Sequence, residues 1–394
     1  QYNQSWLDMA TMEGPDGEEM TAGVWYRMNT KSHVFYPKGK FEEAGYEVPE
    51  TWEDLLALTQ MIADDGDPAW CIGIGSGAGT GWPATDWTED MMLRTTSLEN
   101  YDAWVAGQLP FDSPEVRAAV EAWSEIWFND AYVFGGTDTI VTTEFSDSPT
   151  PMFEDPPQCW LHRQGNFITS FFPEGSEYGT DFGVFYFPGV DEAYGAPFLV
   201  AGDIMSPFTD RDEVRAVMEY FTTPDSAAGF MQTGAGFSPH LQTTSDMYAD
   251  ELMQDLAAMV DAATSFRFDG SDLMPGEVGA GTFWTGMTDY VSGAAELGDV
   301  LPEIDASWPA GVAGQESMTE EGEEEMAESA GAGYIDRAMA GEFDGTTVTM
   351  LGPFTEQDEV LFNEAISEFE EATGIDIQYT GTKEFEATIA VRVD

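Results

Sequence analysis

The chain has 394 residues, and 13 Lys and Arg against 74 Asp and Glu give it a net charge of −61. Apolar residues make up 42% and aromatic residues 13% of the chain, enough to build a large core in spite of the charge. Such an acidic surface repels phosphate and so excludes nucleic acids and anionic membranes as partners, while the length predicts two or three domains.

Helix and strand patterns alternate from residue 1 to about residue 310. Thr51 predicts one helix start, Ser113 followed by Pro114 predicts another, and Asp210 or Asp212 opens a third. The apolar stripes of four predicted helices are Leu55, Leu58 and Ile62; Val116, Val120, Trp123 and Trp127; Val214, Val217, Met218 and Phe221; and Leu252, Leu256 and Met259. The predicted strands are 34–36, 72–74, 182–187 and 198–200. This alternation predicts βα units and a mostly parallel sheet.

The pattern changes after residue 310. Residues 311–342 contain few large apolar side chains and predict a flexible acidic spacer. Residues 346–379 then predict a strand, a helix opened by Thr355 and a second strand, followed by a helix over 383–391. In the predicted helix Phe362, Ile366 and Phe369 face inward, and Gly374 ends it.

The few cysteines and histidines predict no metal site and no cofactor. Cys71 and Cys159 cannot form a four-ligand zinc site, and the three histidines lie far apart in the sequence. The two cysteines form either one disulfide in an exported protein or two buried thiols.

Several segments carry a family resemblance. They are 23–26, 35–37, 41–46 and 49–55 near the start of the chain, 81–87 and 159–164, and then 214–220, 223–228 and 266–272. Together they resemble an extracellular solute-binding protein of a carbohydrate ABC importer. The Gly81–Trp87, Cys159–Gln164 and Phe266–Asp272 segments resemble its alpha-glucoside branch, of the maltose and trehalose type.

The resemblance implies an α/β fold with the two lobes of a class II periplasmic binding protein, joined by hinge strands that let the lobes close on a ligand. The first lobe is expected to comprise 343–394, 1–34 and 193–239. The second lobe is expected to comprise 35–192 and 240–310, and 311–342 is the spacer.

The order of the segments departs from that family. The strand–helix–strand unit at 346–379 opens the family's proteins but closes this chain, and residue 1 is Gln rather than Met. We therefore expect a processed, truncated or rearranged sequence. Relative to the family it is circularly permuted and lacks a segment at the join.

The function that the resemblance implies is capture of a neutral alpha-linked gluco-oligosaccharide and its delivery to the membrane permease of an ABC transporter. This implies a binding protein rather than an enzyme. We expect a monomer at the extracellular face of the membrane or in the periplasm, anchored as a lipoprotein in the intact gene product.

A neutral sugar needs aromatic faces for its C–H patches and polar groups for its hydroxyls. The expected ligand-binding residues are Trp82, Asp86, Trp87, His162, Arg163, Gln164, Asp203, Trp284 and Phe354. The glycines at 75–81 let the backbone approach a ligand, although their spacing is not that of a phosphate loop. For each residue the alternative is an ordinary core, capping or surface position, and Asp269 and Asp272 are expected to be turn residues. If Cys71 and Cys159 are bridged, the disulfide brings His162–Gln164 beside the predicted strand that leads into the 75–90 loop.

Two other functions remain open. A glycoside hydrolase would need two carboxylates flanking the scissile bond, and chance alone supplies pairs such as Asp86 and Glu89 among 74 acids. A cell-surface adhesion protein would show no response to sugar.

Acid spread along the whole chain, with lysine only at 31, 38, 40 and 383, is typical of a halophilic protein. An acidic mesophilic protein is the alternative.

We predict that molar salt raises the melting temperature. The salt shortens the Debye length to about 3 Å at 1 M, so that repulsion between surface carboxylates is screened. Thermal melts in low and molar salt check this prediction, and equal or higher stability in low salt contradicts it.

Overall fold

The structure is a computed structural model. It describes residues 2, 4–13, 18–232, 236–244, 247–248, 250–310, 333–355, 357–382 and 385. The strands are β1 Thr11–Glu13, β2 Glu19–Thr21, β3 Val24–Thr30, β4 His33–Tyr36, β5 His162–Gln164, β6 Gly183–Tyr186, β7 Pro197–Met205, β8 Ser265–Phe268, β9 Thr347–Gly352 and β10 Asp376–Gly381. The helices are α1 Gln4–Met9, α2 Lys38–Ala44, α3 Trp52–Asp65, α4 Trp82–Thr95, α5 Leu98–Val105, α6 Pro114–Trp127, α7 Asp212–Phe221, α8 Pro224–Gln232, α9 Glu251–Asp261, α10 Gly270–Leu273, α11 Trp284–Val291, α12 Leu297–Ala306, α13 Tyr334–Met339 and α14 Gln357–Thr373.

The chain divides into two compact units, each assembled from separate stretches of sequence. The first unit comprises the described residues of Gln1–Asn29, Gly202–Gln254 and Met318–Asp394. The second unit comprises those of Thr30–Ala201 and Asp255–Ser317. No helix in the described part of the chain is long and apolar enough to cross a membrane.

Local sequence signals set the helix starts. The Thr51 hydroxyl accepts the Asp54 N–H at the start of α3, and the Ser113 hydroxyl accepts the Val116 N–H at the start of α6. Both caps satisfy donors that have no partner within the helix. The predicted stripe on α6 is fully buried, and at roughly 1.5–3 kcal/mol per large apolar side chain it holds this helix in the core.

In the second unit, β4 lies between β5 and β6 and pairs with both in the antiparallel sense, while β7 pairs with β8 in parallel. The mostly parallel sheet expected from the alternation is thus only partly found.

The predicted strand 72–74 is wrong. The Cys71 N–H donates to the carbonyl of Leu161, just before β5, and the Ile74 N–H donates to that of Ile140, in a short 3₁₀ helix over Thr137–Thr142. Ile72 and Ile74 are buried. The apolar run that suggested a strand therefore reflects burial in the core and not pairing in a sheet.

In the first unit, the predicted strand–helix–strand unit is confirmed as β9, α14 and β10, with β9 and β10 parallel. Phe362, Ile366 and Phe369 of α14 are buried as expected and pack in one cluster with side chains of α7. Gly374, with a φ of 72°, follows the helix end.

The expected spacer contains structure at its end. Residues 334–339 form α13, whose Tyr334 and Ile335 pack on the core of the first unit. The Ile335 N–H donates to the Glu219 carboxylate at 2.9 Å. These two large apolar side chains anchor α13, whereas the sequence of the acidic run before it contains few residues of this kind. Residues 311–332 and most of the predicted 383–391 helix lie outside the described residues.

A disulfide joins Cys71 and Cys159, which are 88 residues apart in the sequence. This confirms the disulfide alternative.

We predict that the double variant Cys71→Ser/Cys159→Ser loses roughly 2–4 kcal/mol of unfolding free energy, because the cross-link restricts the unfolded chain. Denaturant titration measures the loss, and dithiothreitol should destabilise the wild-type protein by a similar amount but leave the variant unchanged.

Candidate functional site

The glycine-rich loop before α4 brings backbone close to two indole rings of the second unit. Gly81 has a φ of 114°, and a Cβ there would clash with the Trp284 carbonyl oxygen, so only glycine fits. A Cβ on Gly79 would lie 3.6 Å from atoms of both Trp82 and Trp284. The structure therefore brings two of the expected ligand-binding residues together around one glycine.

The two indoles differ in exposure. Trp82, the first residue of α4, is half-buried, and its ring lies 5.0 Å from Phe145 and 5.9 Å from Phe167 between centroids. Trp284, the first residue of α11, is 9% exposed, and its Nε1–H donates to the Ser271 hydroxyl at 3.3 Å. Trp82 is therefore the more accessible aromatic face.

One face of α4 carries a row of buried charges. Asp86, Glu89, Asp90 and Arg94 follow helical spacing, and none has exposed surface. Ionised groups buried in this way are strongly unfavourable unless they are paired. The arrangement therefore requires counter-charges from other segments of the second unit.

Lys31 and Arg163 supply those counter-charges. The Lys31 ammonium lies 2.8 Å from Asp86 Oδ1 and 2.5 Å from Asp269 Oδ2. Arg163 contacts Asp90 Oδ2 at 2.6 Å, and Arg94 pairs with the other oxygen of Asp90. We call these seven side chains the buried ion cluster: Lys31, Asp86, Glu89, Asp90, Arg94, Arg163 and Asp269.

The cluster has four carboxyl groups but only three cations, so charge balance requires one proton. Glu89 is the one carboxyl for which the structure gives no cation contact, although it accepts the N–H groups of Gly270 and Ser271. Burial, with Asp269 and Asp86 nearby, raises the pKa of Glu89 well above its usual range. Burial opposes the charge of Asp269 as well, but Lys31 outweighs it and lowers the pKa of Asp269 to about 2. Burial also raises the pKa of Asp86, to about 7, although the Lys31 ammonium beside it opposes the rise. We assign the proton to Glu89, because Asp86 has this cation contact and Glu89 does not.

The oxygens of Asp86, Glu89 and Asp269 lie within 4.8 Å of one another, a spacing that could suit a metal ion. The Lys31 ammonium already contacts two of these three carboxylates. Lysine therefore provides the cation of this group. Asp269 also caps α10 by accepting the Asp272 N–H, so the turn role expected for it is confirmed and an ion pair is added.

The remaining expected residues of the second unit lie in its core. Trp87 is 3% exposed and packs edge-on against Trp70 and Trp127. His162, Arg163 and Gln164 form β5, and with Trp87 they line a cavity with room for about one water molecule. Apolar neighbours and internal hydrogen bonds thus engage side chains whose types suggested ligand contact.

The disulfide places β5 beside the segment that leads into the glycine-rich loop, as expected. His162 Nδ1 lies 2.9 Å from the Cys71 carbonyl, and Arg163 donates to the Asp86 carbonyl at 3.2 Å. Burial lowers the pKa of His162 to about 4, so its ring is neutral at physiological pH.

In the first unit, Asp203 and Phe354 meet around Arg27. Arg27 pairs with Asp203 at 2.7 Å and with Asp358 at 2.8 Å. Its guanidinium carbon lies 4.4 Å from the centre of the Phe354 ring. Phe354 follows β9, and Tyr379 of β10 accepts its N–H at 2.7 Å. Asp203 keeps 21% of its side chain exposed, so it is the accessible polar group of this set.

Sequence reasoning missed Lys31 and Arg27, and it assigned no role to Asp90 and Arg94. The scarcity of basic residues was a usable signal, because a lysine next to the apolar strand β4 is unusual in so acidic a chain. The helical spacing of the charges on α4 was another signal. Neither one indicates which distant residue supplies the partner.

Comparison with known proteins establishes the class. Residues 2–260 match the family described as bacterial extracellular solute-binding protein. The chain belongs to this family, and its fold agrees with that assignment. It is similar to a structure described as chitin oligosaccharide binding protein, with a TM-score of 0.62 and 15% identity over 75% of this chain and 72% of that one. It is also similar to maltose-bound MalE3 of T. maritima, with a TM-score of 0.57 and 15% identity over 77% and 75%.

Two relatives are much more similar in sequence. The alpha-glucosides-binding periplasmic protein AglE of Rhizobium meliloti (strain 1021) is 44% identical over 309 residues, which cover 77% of this chain and 67% of the relative. The osmoprotective compounds-binding protein GgtB of Synechocystis sp. (strain ATCC 27184 / PCC 6803 / Kazusa) is 44% identical over 308 residues, 78% and 72% of the two chains. The relatives are binding proteins, and the chain is a solute-binding protein rather than an enzyme.

We predict that the buried proton of Glu89 makes stability depend on pH. The pKa of Glu89 is raised on folding, so its contribution is complete below the unfolded-state pKa near 4.5. The contribution is lost as the pH rises toward the folded-state pKa, with a limiting slope of about 1.4 kcal/mol per pH unit.

In Glu89→Gln the unfolding free energy should decrease less steeply with rising pH than in wild type, because the amide cannot ionise. Unfolding free energies measured between pH 4.5 and 8 in molar salt check this, with the exposed Glu125→Gln as the matched control. Parallel pH profiles for wild type and Glu89→Gln contradict the assignment of the proton.

Proposed function

We propose that this chain captures a neutral alpha-linked gluco-oligosaccharide, of the maltose or trehalose type, and delivers it to the permease of an ABC transporter. The observation that carries the proposal is the 44% identity, over 309 residues, to a protein named for binding alpha-glucosides. The second relative is named for osmoprotective compounds, which makes trehalose and maltose the first pair to compare.

The charges support an uncharged ligand. The net charge of −61 opposes an anion. The cations described above, Lys31, Arg163 and Arg94 in the second unit and Arg27 in the first, already contact carboxylates. A ligand carboxylate or phosphate would have to displace one of these pairs. Hydroxyl groups need no counter-ion.

We propose that Trp82 is the principal stacking surface, with Trp284 beside it. Aromatic faces match the C–H patches of a pyranose ring, and Trp82 keeps part of its surface accessible at the edge of a glycine-rich loop. In the first unit, Asp203 and Phe354 are proposed as further contacts. Trp87, Asp86, His162, Arg163 and Gln164 would act indirectly, by holding the segments that carry these residues.

The cellular setting follows from the same proposal. A protein that supplies a permease works at the extracellular face of the membrane or in the periplasm, and we propose a monomer held there by a lipoprotein anchor. The salt adaptation expected from the composition would suit a saline environment.

Binding without hydrolysis distinguishes this function from that of a glycosidase. Asp86 and Glu89 have no exposed surface and are engaged with Lys31 and with backbone N–H groups, respectively. Incubation with maltose or trehalose should raise the melting temperature and leave the sugar unchanged. Release of glucose would favour a hydrolase, and the absence of any shift with either sugar would favour an adhesion protein.

We predict that Trp82→Ala weakens binding of the preferred sugar by about 1–3 kcal/mol, or about 5- to 150-fold in Kd, because the stacking surface is lost. Isothermal titration calorimetry measures the change. Trp308→Ala is the matched control, since Trp308 is also half-buried but lies against Gly107, away from the glycine-rich loop. Equal affinity in Trp82→Ala and wild type would refute this role.

A further inference from the structure

Both indoles of the proposed site connect to a single ammonium group in the second unit. Lys31 directly follows β3 and is 7% exposed. Its ammonium lies between the carboxylates of Asp86, on α4, and Asp269, at the start of α10. One positive charge therefore ties together the two segments that carry or orient the indoles.

The first connection runs to Trp82. The Lys31 ammonium lies 5.3 Å from the centre of the Trp82 ring, within the range of a cation–π interaction. Asp86 stands one helical turn after Trp82 on α4, so the ion pair to Asp86 also fixes the turn from which this indole projects. Both contacts act on the orientation of Trp82.

The second connection runs to Trp284 through hydrogen bonds. Asp269 contacts Lys31 through Oδ2, and its Oδ1 accepts the Ser271 hydroxyl at 2.8 Å. Because the Ser271 hydroxyl donates to Asp269, its oxygen remains free to accept the indole N–H of Trp284, at 3.3 Å. The position of Lys31 thus determines which way the indole N–H is held.

We propose that Lys31 is a positioning residue for sugar binding, one that sets the relative orientation of Trp82 and Trp284. This rests on the proposed function, in which those indoles contact the sugar. A compact ammonium on a flexible stem can contact two carboxylates and a ring face at once. The planar fork of arginine has a different geometry and cannot make the same three contacts from the same backbone position.

The first test cuts only one connection. Ser271→Ala leaves the ion pairs of Lys31 intact but removes the acceptor of the Trp284 N–H. We expect the indole ¹H–¹⁵N signal of Trp284 to shift, with little change at Trp82, and the affinity for maltose or trehalose to fall by roughly 3- to 10-fold. Trp82→Phe and Trp284→Phe variants assign the two signals.

The second test changes the geometry and keeps the charge. Lys31→Met would leave Asp269 without its cation and Asp86 with only Arg163, at 3.9 Å. It is therefore at risk of unfolding, and Lys31→Arg is the informative variant. We expect it to retain a cooperative melt, to shift the indole signals of both Trp82 and Trp284, and to lose about 10-fold or more in sugar affinity. Lys38→Arg is the matched control, because Lys38 pairs with Glu42 at the surface.

The outcomes separate this inference from the proposed function. If Lys31→Arg leaves both indole signals and the sugar affinity as in wild type, Lys31 only neutralises carboxylates and the positioning role is overturned. If wild-type protein binds neither maltose nor trehalose, the proposed function fails. The positioning role in sugar binding then falls with it, and shifted indole signals would still show the coupling of Lys31 to both rings.

Discussion

Burial of charge on α4 is the constraint on which the second unit depends. A helix enclosed on all sides would ordinarily be apolar, yet α4 places Asp86, Glu89, Asp90 and Arg94 in the interior. Asp90 and Arg94 pair with each other within the helix. The remaining negative charge must be neutralised from other segments, because desolvation would otherwise exceed the attraction. Lys31, Arg163 and the α10 turn are held in place for this reason, so the ion cluster fixes how distant parts of the chain meet.

The geometry of the proposed site depends on that ion cluster. The glycine-rich loop, which leads into α4, must pass close to Trp284, and only a residue without a side chain permits this at Gly81. The disulfide holds the segment before that loop against β5, which contributes Arg163 to the same cluster. Covalent, steric and electrostatic constraints therefore act on one short stretch, and Trp82 is the residue there that stays partly accessible.

The first unit also contains a buried cation that is neutralised by carboxylates, on a smaller scale. Arg27 lies between two carboxylates and over the Phe354 ring, at the carboxyl end of the parallel pair β9 and β10. Ligands of α/β sheets commonly bind at such strand ends. In both units the cations are neutralised internally and aromatic rings lie beside them. Polar surface with no net positive charge suits a hydroxylated, uncharged solute better than an anion.

The sequence by itself determined the features that depend on near neighbours: the α3 and α6 starts at Thr51 and Ser113, the inward face of α14, and the strand–helix–strand unit that carries Phe354. It also carried the family resemblance. It could not separate Trp82 from Trp87, because the same residue type serves as a ligand surface or as core depending on what packs against it. Only the tertiary structure decided their burial, since Trp87 packs against Trp70 and Trp127 while Trp82 stays half-buried. The tertiary structure also decided the ion pairs, in which Lys31 meets Asp86 across 55 residues and Asp269 across 238. Coulomb attraction acts through space, and the periodicity of a chain records only what lies within a few turns.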